Sequence, residues 1–132
     1  PVYKGKRLLI AEDNILNREI LMELLKDREC LVEAAENGQI AVSMFLDKPS
    51  GYYHAILMDI RMPVMDGYEA ATKIRSSNHP DGAKIPIISI SADAFSDDMH
   101  KSLCCGMNAH LPKPLDFNLL DQELRKVFSD KF

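Results

Sequence analysis

The chain has no apolar run long enough to cross a bilayer, and its start, Pro1-Val2-Tyr3-Lys4, lacks the make-up of a signal peptide. Positive charge is not in excess: 16 Lys and Arg stand against 20 Asp and Glu, a net charge of −4. That balance argues against a nucleic-acid surface, which needs a basic face. Cysteine is scarce. Cys30, Cys104 and Cys105 fit neither a disulfide framework nor a zinc spacing, so reduced thiols in the cytoplasm are expected. Cys104 and Cys105 are neighbours, but helix packing is the simpler role for them than a reactive pair. No linker, repeat or low-complexity stretch divides the 132 residues. One domain over 1–132 is therefore expected, large enough to bury a core without metals or disulfides.

What is present is an alternation of short apolar runs and amphipathic stretches. The predicted strands are Arg7–Ala11, Cys30–Ala34, Ala55–Met58, Ile87–Ile90 and Ala109–Leu111. The first, third and fourth are almost unbroken apolar runs, as parallel strands covered on both faces require. Between them the spacing becomes helical. Leu16, Ile20, Leu21, Leu24 and Leu25 share one face, as do Ile40, Ala41, Met44 and Phe45, and Phe117, Leu120, Leu124, Val127 and Phe128. Asn14, Asn37, Ser96 and Asp116 stand where helix N-caps are needed. Turn chemistry marks Ser76 to Gly82 as a surface loop. Five strand–helix repeats with right-handed crossovers favour an α/β fold, an open parallel sheet with helices on both sides. The expected form is the doubly wound, flavodoxin-like three-layer sandwich with a parallel sheet in the order 2-1-3-4-5.

Polar residues collect at the strand ends of this plan. Glu12 and Asp13 follow the first strand, and Asp59 follows the third. Strands one and three are neighbours in that order, and the crevice beyond their carboxyl ends is where such folds bind ligands. Three carboxylates gathered there without a counter-ion repel by something on the order of several kcal/mol. A hard divalent cation with oxygen ligands would relieve them, and Mg2+ suits two or three carboxylates plus waters, with Mn2+ as a substitute. Ser91 at the end of the fourth strand and Lys113 after the fifth bring a hydroxyl and an ammonium to the same crevice. Carboxylates, a metal, a hydroxyl and a fixed cation suit phosphoryl transfer, with one carboxylate attacking. Any one of these residues alone would read as a turn, a cap or a surface side chain. Five of them at four strand ends of one sheet edge point to a site.

The same residues give the sequence a family resemblance. Leu8–Asn14, Met58–Gly67, Pro86–Ala92 and Lys113-Pro114 resemble the receiver domains of two-component response regulators and hybrid histidine kinases, and the likeness runs through nearly the whole chain. It implies that Asp59 accepts a phosphoryl group from a phosphohistidine on a histidine kinase or histidine phosphotransfer protein. It implies that Glu12 and Asp13 hold magnesium, with the carbonyl of Arg61 as a further ligand. Ser91 would turn its hydroxyl to the phosphoryl group, Lys113 would pair with it, and the Lys113–Pro114 peptide would be cis. The form Asp13-Asn14-Ile15-Leu16-Asn17 resembles receivers attached to hybrid histidine kinases, so a piece of such a chain is expected ahead of a stand-alone regulator. The fourth helix, fifth strand and fifth helix, roughly Phe95 to Phe128, would be the surface that changes.

Some positions are less typical. His110 stands where the family usually carries the aromatic switch residue, and the plain alternative is an exposed histidine at a strand edge. Arg61 and Asp93 flank the mouth and are expected to pair across it, slowing hydrolysis. His54, His79 and His100 read as surface residues. Met62, Met65, Met99 and Met107 read as packing ahead of a recognition surface. A flavodoxin-like cofactor binder shares the fold, but Glu12-Asp13 would repel a flavin phosphate.

Overall fold

Strands rich in isoleucine and leucine, bounded by capped helices, build the predicted alternation. The computed structural model describes residues 3–92, 101 and 105–129. Its elements are β1 (Arg7–Ala11), α1 (Ile15–Lys26), β2 (Leu31–Ala35), α2 (Gly38–Leu46), β3 (Ala55–Asp59), α3 (Gly67–Arg75), β4 (Ile87–Ser91), β5 (Ala109–Pro112) and a C-terminal helix (Phe117–Ser129). The five strands are parallel in the order β2-β1-β3-β4-β5. β3 and β4 are buried at all five positions, whereas β2 and β5, at the edges, are partly exposed.

Alternating strand residues feed two cores, one on each face of the sheet. Leu9, Ile56, Met58 and Ile87 pack with Phe45 and Ile74 of α2 and α3. Leu8, Ile10, Leu57 and Ile88 pack with Leu21 and Leu25 of α1 and Leu120, Leu124 and Phe128 of the C-terminal helix. Each fully buried aliphatic side chain contributes about 1.5–3 kcal/mol.

Helix starts follow the cap residues. Asn14 Oδ1 accepts from the Asn17 N–H at 3.0 Å, and Asn37 Oδ1 from the Ile40 N–H at 2.9 Å. Asp116 Oδ1 accepts from the Asn118 N–H at 2.8 Å. Asp66 caps α3 through the Glu69 N–H at 2.9 Å, a cap that the sequence reading missed. Ser96 lies outside the described residues.

Several boundaries and roles differ from expectation. β2 begins one residue later, at Leu31, because the Cys30 N–H turns back to the Leu25 carbonyl at 3.1 Å. β3, β4 and β5 each run one residue further, to Asp59, Ser91 and Pro112. Leu16 and Ile20 are 64% and 50% exposed, so the predicted five-residue stripe on α1 is only partly buried. Leu21 and Leu25, one turn apart, take the sheet face. His54 and His79 are half-buried and knit loops together, where the sequence suggested surface residues. His54 Nδ1 accepts from the Arg7 N–H at 2.9 Å. His79 packs on Phe45 with ring centroids 4.4 Å apart, accepts from the Asp81 N–H at 3.0 Å, and meets the Lys48 carbonyl through Nε2 at 2.6 Å. Met62, Met65 and Met107 are buried, and Cys30 and Cys105 are free thiols. His100, Met99 and Cys104 lie outside the described residues.

Candidate functional site

The β1–β3 pairing sets Ala11 opposite Met58, so the residues just beyond them, Glu12 and Asp59, emerge side by side. Both are buried, each 2% exposed. One carboxylate oxygen from each of Glu12, Asp13 and Asp59 lies within 4.8 Å of the other two. Lys113 comes from beyond β5. Its Nζ donates to Asp59 Oδ2 at 3.0 Å and lies 3.4 Å from Glu12 Oε1. Glu12 Oε2 accepts from the Asn14 N–H at 3.1 Å, and Arg18 donates to the Glu12 carbonyl at 2.8 Å. Arg18 thereby ties the second turn of α1 to the loop carrying the acids, a contact the sequence reading did not anticipate.

The loop after Asp59 is tightly folded. Met65 N–H bonds the Pro63 carbonyl at 2.7 Å, and between them Val64 adopts φ 69°, a left-handed conformation that is costly for a β-branched residue. Gly38 N–H binds the Met65 carbonyl at 3.1 Å, bracing this loop against the start of α2. Gly67 N–H binds the Ile60 carbonyl at 2.8 Å. A side chain at Gly67 would overlap the backbone carbonyl oxygen of Asp59 and come within 3.0 Å of the Ile60 Cα. Glycine is what lets α3 start against the end of β3.

Ser91 is fully buried as the last residue of β4, and its carbonyl accepts from the Lys113 N–H at 2.8 Å. That bond brings the two residues to the same end of the sheet. Lys113–Pro114 is cis, as the resemblance implied. Arg61 is exposed two residues past Asp59, while Asp93, its expected partner, lies outside the described residues. His110 is half-buried opposite Ser89 on β4, with Ser89 Oγ 2.7 Å from its Nδ1. It is therefore not the exposed edge histidine of the plain alternative.

The electrostatics follow from crowding. Burial, and then the charge of Asp59, push the Glu12 carboxyl up from 4.5 to about 7. For Lys113, burial pulls the ammonium down, but Asp59 and then Glu12 outweigh it and leave it above its ordinary value. Among the described residues Lys113 is set against three carboxylates. Asp59 Oδ1, moreover, is buried and accepts no hydrogen bond among the described residues. This oxygen-only donor set with an unsatisfied buried oxygen fits a hard divalent cation.

The chain matches the response regulator receiver domain over residues 8–125 and belongs to that family. It is 39% identical over 127 residues to hybrid signal transduction histidine kinase M of Dictyostelium discoideum, an alignment spanning 94% of this chain and 5% of that protein. Eight curated relatives that it matches are far longer, and the chain spans between 5% and 14% of their length. Among solved structures it resembles the receiver domain of sensor histidine kinase PA1611 from Pseudomonas aeruginosa PAO1, described with a magnesium ion in its active site cleft. The TM-score is 0.85 and the identity 33%, over 96% of this chain and 99% of that one. It also resembles the Ssk1 receiver domain of Saccharomyces cerevisiae, solved with the phosphotransfer protein Ypd1. There the TM-score is 0.85 and the identity 30%, over 98% of this chain and 92% of that one. Among the described residues no helix is long and apolar enough to cross a membrane.

Proposed function

We propose that the chain is a phosphorelay receiver whose acceptor is Asp59, and that residues 1–132 form one such unit within a longer hybrid histidine kinase. The observation that carries this is the contact of Lys113 with a buried Asp59 at 3.0 Å, beside two further carboxylates. An Asp59 carboxylate oxygen attacks the phosphorus of a phosphohistidine. The P–N bond breaks and its electron pair returns to the imidazole. Lys113 neutralises charge on the transferred group, and the Ser91 hydroxyl donates to it. Glu12, Asp13, Asp59 and the Arg61 carbonyl would hold Mg2+, or Mn2+ in its place. When bound, that cation supplies positive charge to the equatorial oxygens. The donor is a histidine kinase or a histidine phosphotransfer protein, the kind of partner seen with the related Ssk1 receiver domain. Arg61 would form the rim, and Asp93, its expected partner there, lies outside the described residues. Ser91 and His110 form the switch, and the surface of the fourth helix, β5 and the C-terminal helix carries the change outward by a population shift. The segment expected to form the fourth helix lies largely outside the described residues. A cytoplasmic setting accords with the free thiols of Cys30 and Cys105.

The test is incubation with acetyl phosphate, with and without Mg2+, read by intact mass. A gain of one phosphoryl group only with the cation, mapped to the peptide holding Asp59, is the expected result. A metal-independent gain, or one mapped elsewhere, would overturn the reading.

Glu12 makes cation binding pH-dependent. Its folded pKa, about 7, lies above the ordinary 4.5, so the fold favours the protonated form. In metal-free protein its contribution to stability is thus present below about 4.5 and lost as pH rises through about 7. Mg2+ binding is expected to strengthen over the same rise and to release a proton. Calorimetry in buffers of different ionisation enthalpy measures that release. An affinity that is flat between pH 6 and 8, with no proton released, would rule the assignment out.

A further inference from the structure

β4 is a central strand buried at every position, yet its sequence is Ile87-Ile88-Ser89-Ile90-Ser91. Two hydroxyls two residues apart share one face of it. Ser91 belongs to the site already described. Ser89, fully buried one layer below, does not, and a buried hydroxyl is tolerated only when it is bonded. Its register partner on β5 is His110. Ser89 Oγ lies 2.7 Å from His110 Nδ1 and 3.2 Å from the Ala109 carbonyl oxygen. The other ring nitrogen of His110, Nε2, is buried as well, so the ring is turned inward although the residue as a whole is half-buried.

This hydroxyl holds the ring in either hydrogen-bonding state. If Nδ1 bears no proton, Oγ–H donates to it. If Nδ1 is protonated, it donates to Oγ, and the hydroxyl proton turns to the Ala109 carbonyl. Resting on the receiver reading above, we infer that Ser89 is a positioning residue for the switch, holding the His110 ring inward before any phosphoryl group arrives. The acceptor then needs to shift the switch by less, because part of the bias is built into β4. A neutral buried hydrogen bond of this kind corresponds to about a two- to ten-fold bias in a two-state population.

The test compares wild type, Ser89→Ala, His110→Phe and the double variant, by NMR of the His110 ring where present and by titration with beryllium fluoride and Mg2+. In free wild-type protein the ring is expected to show contacts to Ser89 and to move little on adding the phosphoryl mimic. In Ser89→Ala its signals should shift toward those of a solvent-exposed imidazole, return when the mimic is added, and need about two- to ten-fold more of it. Ser89→Cys, which keeps the volume but bonds weakly, should fall between. In the His110→Phe background the alanine change should leave the titration unaltered, which separates positioning from a general loss of packing. Unchanged ring signals in free Ser89→Ala, or an equal effect of the alanine change with Phe at position 110, would overturn the inference. Failure of acetyl phosphate to label wild-type Asp59 would instead overturn the receiver reading, and the free-protein ring signals would still decide the role of Ser89.

Discussion

Asp59→Asn is expected to abolish labelling by a small phosphodonor while making the metal-free protein more stable above pH 7. The first effect follows because the amide lacks the anionic oxygen that attacks phosphorus in the proposed transfer. The second follows from crowding. Asp59 and Glu12 are both buried, and the charge of Asp59 helps to push Glu12 up to about 7. Above that pH two buried anions face the ammonium of Lys113, at 3.0 and 3.4 Å. Removing one anion leaves a matched pair, Glu12 with Lys113, and should raise stability by about 1 kcal/mol. Near pH 5 Glu12 is protonated and the gain should fade. Urea unfolding in the presence of EDTA at pH 5 and pH 8 measures this. Equal or lower stability of the variant at pH 8 would show that repulsion does not govern the site, and labelling of the variant would show that Asp59 is not the acceptor.

Gly67→Ala should be the most damaging small substitution near the site. The added methyl meets backbone, the Asp59 carbonyl oxygen and the Ile60 Cα, and backbone has no rotamer to escape by. Either α3 moves out, losing the Gly67 N–H bond to Ile60, or the end of β3 moves and takes Asp59 with it. A cost of about 3 kcal/mol is expected, the upper range for overpacking. Because Asp59 precedes the displaced peptide, labelling should slow by about 100-fold in the protein that remains folded. Chemical denaturation and labelling kinetics on the same preparation check both. A loss below about 1 kcal/mol would mean that the loop yields easily.

The acids were legible in the sequence because chemistry and topology coincide at strand ends. Glu12, Asp13, Asp59, Ser91 and Lys113 each follow or end an apolar run, and a parallel sheet aligns such ends on one edge. The caps Asn14 and Asn37 were legible because capping is local. What escaped depends on contacts between distant segments. Gly67 and Gly38 look like ordinary turn glycines until the Asp59 and Met65 carbonyls are placed against them. His54 and His79 acquire partners only when loops from different repeats meet. Ser89 breaks an otherwise apolar strand run in the sequence, but the partner that satisfies it lies 21 residues away. Leu16 and Ile20 fit the helical period, but periodicity gives a direction and not the extent of the surface that covers it.

β3 has a neighbour on either side and no exposed residue along its length. Its amides should be among the slowest in the chain to exchange with deuterium, so Asp59 is mounted on the part of the molecule least able to give way. A charge added there meets an unyielding support and displaces softer surroundings instead. β5, an outer strand with three of its four residues only partly covered, is such a place, and it leads directly to Lys113. On the receiver reading proposed above, a charge placed on Asp59 would therefore be felt at the edge of the sheet and not in its middle.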